Sequence, residues 1–109
     1  MIADRGVRSA ERKEQSACAA EGGMSTDDFR RRTFRFGILV ARLVQTLSKA
    51  EVARVIGNQL LRSGTAVGEN YLAAARARSR ADFIAKMGIV EEEADESVFW
   101  IEFAWMQGW

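Results

Sequence analysis

The chain contains no histidine, no proline and a single cysteine among its 109 residues. Without histidine there is no usual general base, no Ser-His-Asp triad and no imidazole-containing metal set. One cysteine, Cys18, builds neither a disulfide framework nor a four-cysteine zinc site. The absence of proline, with 48% hydrophobic residues, leaves long helices uninterrupted. Long apolar runs are missing too: no segment reaches the roughly 18 consecutive apolar residues of a membrane span. Gly64-Thr65-Ala66-Val67-Gly68 lacks the spacing and the lysine of a phosphate-binding loop. These absences predict a cytoplasmic protein of one domain, with no cofactor and no metal.

Residues 1–23 differ from the rest. Four basic side chains (Arg5, Arg8, Arg12, Lys13) balance four acidic ones (Asp4, Glu11, Glu14, Glu21), and Ile2 and Val7 are the only large aliphatics. With so little apolar surface to bury, the segment reads as a disordered or weakly helical extension. It has no apolar stretch of signal-peptide type and too many acids for a transit peptide. Because Met24 follows, an ordinary tail and an upstream extension of the reading frame are equally compatible with it. The folding unit is expected to be residues 24–109.

From Thr26 the pattern turns helical. Thr26 or Asp27 can cap, and Phe36, Leu39, Val40, Leu43, Val44 and Leu47 fall on one face at helical period. Ser48, with Glu51 three residues on, resembles a capping box that starts a second helix near Lys49. Its seam runs Val52, Ile56, Leu60, Ser63, Val67, Asn70, Ala74. Gly57, Gly64 and Gly68 lie inside it, and a turn at Ser63-Gly64-Thr65 competes with one continuous helix. The unbroken register favours the continuous helix, with Gly64 and Gly68 allowing a second backbone close. Ser79 and Asp82 open a third helix. Its stripe runs Phe83, Met87, Val90, Ala94, Ser97, Ile101, Ala104, broadened by Ile84, Val98, Trp105 and Met106. Trp100 and Phe103 fall outside that stripe, and the excess apolar surface calls for a further contact. Candidate residues for helix contacts or self-association are therefore Ser63, Gly64, Gly68, Asn70, Trp100, Phe103 and Trp105.

The net charge of +1 hides a separation. Residues 30–86 hold 12 basic and three acidic side chains, a balance of +9, whereas residues 87–109 hold six acids and no base. Either the helices neutralise one another, within or between subunits, or part of the basic set faces outward and holds phosphates. The phosphate candidates are Arg30, Arg31, Arg32 and Arg35 on the first helix, with Arg76, Arg78 and Arg80 at the second turn. The few aromatics among them, Phe29, Phe34 and Phe36, do not support base stacking, so RNA or DNA would be held by its backbone. Catalysis is not expected. Glu92, Asp95, Glu96 and Glu102 could at most form an all-oxygen metal site, and their run reads more simply as a solvated or ion-paired face. Cys18 has no histidine to activate it.

Three segments in order resemble one family. The run from Gln59 to Tyr71 (QLLRSGTAVGENY), the run from Ala77 to Lys86 and the run from Glu93 to Glu102 are similar to the second- and third-helix signatures of small bacterial four-helix-bundle proteins. These are also called 23S rRNA intervening-sequence proteins. Arg62, Ser63, Asn70, Arg78, Ser79 and Glu96 match the motif. The resemblance implies an all-α, up-down antiparallel bundle, commonly a homopentamer, and no known reaction. It extends to the accessory protein of diversity-generating retroelements, a basic pentamer that works with a reverse transcriptase and nucleic acid. Leu72-Ala73 stands where relatives often carry Arg-Glu. The family's fourth helix has no counterpart before Trp109, so a truncated bundle is expected, with Trp100, Phe103, Trp105 and Trp109 partly exposed. The expected role is that of a self-associating, non-enzymatic interaction module. The alternative is a nucleic-acid-binding accessory of a reverse transcriptase or of an RNA process.

Overall fold

Helix α1 (Thr26–Thr46) begins where Ser25 accepts a hydrogen bond from the Asp28 amide at 3.1 Å, with Asp27 and Asp28 filling the first turn. A hydroxyl acceptor and two carboxylates there satisfy free amides and oppose the positive end of the helix dipole. The cap is therefore Ser25, one residue before the expected pair. In the computed structural model, which describes residues 25–109, α1 is followed by α2 (Glu51–Ala75) and α3 (Arg80–Met106). The protein is an all-α bundle, and the described residues contain no strand. The chain divides into two units, Met1–Arg32 and Thr33–Trp109, and the bundle below is that of the second. The extension expected over residues 1–23, with Cys18, lies outside the described residues. Among the described residues no helix is long and apolar enough to cross a membrane.

Helix α2 is the centre of the arrangement, and small residues on two of its faces explain how closely its neighbours approach. Along one face, a Cβ added at Gly68 would lie 3.3 Å from the Thr33 backbone, and one at Gly57 3.3 Å from Val44. A Cβ at Gly64 would collide with Val40, at 2.7–2.9 Å from three of its side-chain atoms. As the α1 numbers rise, the α2 numbers fall, so the two helices run antiparallel. The continuous α2 expected from the seam is present, and no turn interrupts it at Ser63-Gly64-Thr65.

The buried line on α1 is Thr33, Gly37 and Val40, with Val44 half-buried and Leu47 buried just past the helix end. Val40 and Leu47 are as expected, and the rest of the expected face is corrected. Phe36 is only half-buried, while Leu39 and Leu43 are 49% and 38% exposed. Where two backbones nearly touch, the seam admits the smallest side chains, and the larger ones rotate to its flanks. Two further corrections concern α2. The residue before its first turn is Ala50, which makes no side-chain cap, while Ser48 accepts from the Ala50 amide two residues on. Val52, in the exposed first turn, is replaced in the core by Ala53.

On its other side α2 meets α3 through Ser63 and Ser97, both fully buried with Oγ atoms 3.1 Å apart. Ser97 also reaches the Glu93 carbonyl at 2.8 Å and Ser63 the Leu60 carbonyl at 3.2 Å, so both hydroxyls are satisfied within the contact. Leu60, with no exposed surface, sits one turn away and contributes about 1.5–3 kcal/mol by its burial. Val90, Ser97 and Ala104 form the buried line of α3 at heptad spacing, three positions of the expected stripe, while Phe83 and Ile84 in its first turns are exposed. Its start carries the expected Ser79 cap, which accepts from the Asp82 amide at 3.0 Å. The reciprocal half of a capping box is shifted by one residue, because Asp82 accepts from the Arg78 amide at 3.3 Å and not from that of Ser79. Its end is a Schellman motif. Gly108 takes φ 76°, its amide donates to the Trp105 carbonyl, and the Trp109 amide donates to that of Ala104.

The two kinds of glycine give opposite expectations. Gly64→Ala gains about 1 kcal/mol of helix propensity, but it forces a stiff β-branched Val40 aside at a cost of about 1–3 kcal/mol, so the net effect is destabilising. Gly88→Ala meets nothing within 4 Å and should stabilise by up to about 1 kcal/mol. Urea midpoints of the two variants, measured side by side, test the close approach.

Candidate interaction surfaces

The polar contact that sets α3 against α2 is built on Arg62. Its Nη2 lies 2.6 Å from Glu96 Oε2, and its Nη1 lies 3.3 Å from Glu93 Oε2. The spacing of Glu93 and Glu96 puts both carboxylates on one face of α3, so a single guanidinium spans them. Trp100 Nε1 donates to the other Glu96 oxygen at 3.3 Å. Glu93 Oε2 is buried and accepts no well-directed hydrogen bond, so the nearby guanidinium charge is what balances it. The hydrogen bond from Arg62, then that from Trp100, holds the Glu96 carboxyl below its ordinary value of 4.5. The hydrogen bond to Glu96, then that to Glu93, raises the pKa of Arg62.

The sign of the linkage follows from the lowered Glu96 value. Its contribution to stability is complete above the unfolded value and is lost as pH falls through the folded one. Arg62→Met should therefore unfold more easily than the unsubstituted protein at pH 7. The gap between their urea midpoints should narrow below about pH 4.5. A gap independent of pH would mean that Arg62 acts through packing alone.

The candidate arginines separate into groups. Arg30 and Arg31 pair with Asp27 at 2.8 and 2.7 Å, and Arg31 also lies 3.7 Å from Asp28. Acidic residues three and four positions earlier absorb these two charges, a relation already visible in the spacing. Arg32 belongs to the same unit and is exposed. Arg35 is exposed on the other unit and makes no ion pair among the described residues. Arg76, Arg78 and Arg80 are brought together at the α2–α3 turn, all exposed and none in an ion pair among the described residues. Lys86 is instead held by Asp82 at 2.8 Å.

The candidate contact residues also divide. Gly64 and Gly68 face α1, and Ser63 faces α3. Asn70 is half-buried, and its Nδ2 donates back to the Ala66 carbonyl at 2.8 Å, so that bond stays within α2. Trp100 and Phe103 are half-buried in an aromatic group at the end of α3. Phe99 stands edge-on to Trp100 at 4.7 Å, Phe103 lies 5.9 Å from Trp100, and Trp109 folds back on Phe103 with its ring tilted at 6.4 Å. The Schellman turn delivers Trp109 to Phe103, the hydrophobic contact that often accompanies this motif. Trp105 is outside the group and 82% exposed. Phe99, 55% exposed, was missed by the stripe because it lies on the opposite side of α3 from Val90. No group of three or more metal-ligating side chains gathers among the described residues.

A crystal structure of a protein of unknown function from Bacteroides thetaiotaomicron, of the S23 ribosomal protein family, is similar to this chain. The two are 35% identical, with a TM-score of 0.67 over 73% of this chain and 71% of that one. No family model matches the chain. No curated protein matches it either.

Proposed function

Since the chain belongs to the S23 ribosomal protein family, we propose that it is a cytoplasmic, non-enzymatic interaction module that works by associating with copies of itself. The observation that carries this reading is the distribution of apolar residues around α3. Val90 and Ala104 face the core, while Val98, Phe99, Trp105 and Met106 are 52–82% exposed on other sides of the same helix. Several large apolar side chains exposed on one helix mark a contact surface. The three signature segments support the finer assignment to the 23S rRNA intervening-sequence proteins, and that likeness favours a pentamer. Size exclusion with light scattering should give a discrete species heavier than a monomer at tens of micromolar. A monomer across the whole concentration range would contradict the reading.

A second reading rests on the turn arginines. Arg76, Arg78 and Arg80 are exposed, close together and without carboxylate partners among the described residues. Such a group suits the phosphates of RNA or DNA and supports a role as accessory to a reverse transcriptase or an RNA process. Filter binding across a salt series should then show affinity falling steeply with salt. Changing all three to Ala should lower the slope by up to about three and weaken binding alike for all sequences. No measurable binding at low salt would remove this reading.

A further inference from the structure

We propose that the outward face of α3 in one copy docks on the outward face of α1 in the next, head to tail. This rests on the self-association reading and names the surfaces that would meet.

On α3, Glu91, Asp95, Val98, Glu102 and Met106 recur at helical spacing and share one exposed face, with Phe99 beside them. Apolar and acidic side chains are thus interspersed along a single strip. Neither Glu91, Asp95 nor Glu102 makes an ion pair among the described residues, whereas Glu93 and Glu96, on a different face of α3, share Arg62. On α1, Phe34, Arg35, Ile38 and Arg42 form a corresponding strip on the side away from Gly37 and Val40. Phe34 is 69% and Ile38 39% exposed, and Arg35 and Arg42 are exposed without ion pairs among the described residues.

The two strips match in kind and oppose in charge. Each has apolar side chains to exclude water and charges of one sign to set the register. Two copies of the α3 strip would bring acids against acids, and two copies of the α1 strip bases against bases. Like charges across an interface cost several kcal/mol, so the pairing favoured is α3 against α1. The surfaces lie on different helices, so a copy can offer α3 to one neighbour and α1 to another. Such a contact is heterologous and generates a closed ring or an open filament, not an isologous dimer.

The test is a charge exchange read by light scattering, with helicity and urea midpoint measured on each protein. One variant carries Glu91→Lys, Asp95→Lys and Glu102→Lys, and a second carries Arg35→Glu and Arg42→Glu. Each should associate at least about tenfold more weakly than the unsubstituted chain while keeping its helicity. The combined variant restores opposite charges across every contact and should recover the original mass. Should a reversal lower helicity, the corresponding Gln and Asn substitutions replace it, with weaker association again expected. An unsubstituted protein that stays monomeric would remove both the self-association reading and this pairing. An unsubstituted protein that assembles, with either reversal leaving its mass unchanged or the combination failing to restore it, would overturn the pairing alone.

Discussion

The structure depends on how closely two helices can approach α2. On one side the limit is set by glycine: a single methyl at Gly64 would press into Val40 at under 3 Å. On the other side it is set by Ser63 and Ser97, whose hydroxyls meet at 3.1 Å with no exposed surface. Short distances of this kind maximise dispersion contacts between backbones and leave no room for larger side chains. The bulky apolar residues are consequently displaced from the seams. Leu39 and Leu43 move to the flank of α1, and Phe99 and Trp105 stand outside the buried line of α3. Tight packing at the centre and exposed apolar surface at the periphery are two results of one constraint.

That constraint also explains which parts of the fold could be read in the sequence. The stripe of α3 was legible where its buried positions, Val90, Ser97 and Ala104, repeat at heptad spacing, and its N-cap is local chemistry between Ser79 and Asp82. The face of α1 was misread because counting large apolar residues selects Leu39 and Leu43, whereas the seam holds Thr33 and Gly37. The corrective signal was present in α2, where Gly57, Gly64 and Gly68 call for a small-residue partner. The Ser48 cap failed for a different reason: its hydroxyl bonds two residues ahead, to the Ala50 amide, and α2 starts at Glu51.

The candidate surfaces were legible to the extent that charge pairing is local. The pairing of Arg30 and Arg31 with Asp27 follows from helical spacing, so two of the seven candidate arginines could have been discounted beforehand. The bridge from Arg62 to Glu93 and Glu96 joins residues on different helices and required the packing of α3 on α2 to be known. The separation between a basic segment and an acidic helix survives folding in large part. Arg62 and Lys86 are tied to carboxylates, while Arg35, Arg42, Glu91, Asp95 and Glu102 remain exposed. Unspent charge of opposite sign on different helices, each beside exposed apolar residues, is what supports the self-association proposed above.

The central claim is that the outer side of α3 is a contact surface and not merely a solvated one. Hydroxyl-radical footprinting at two protein concentrations tests it most directly, because Phe99 and Met106 lie on that side and are exposed in the single chain. The account predicts that both lose reactivity as concentration rises, while the already buried Tyr71 does not change. Equal reactivity of Phe99 and Met106 at both concentrations would contradict it.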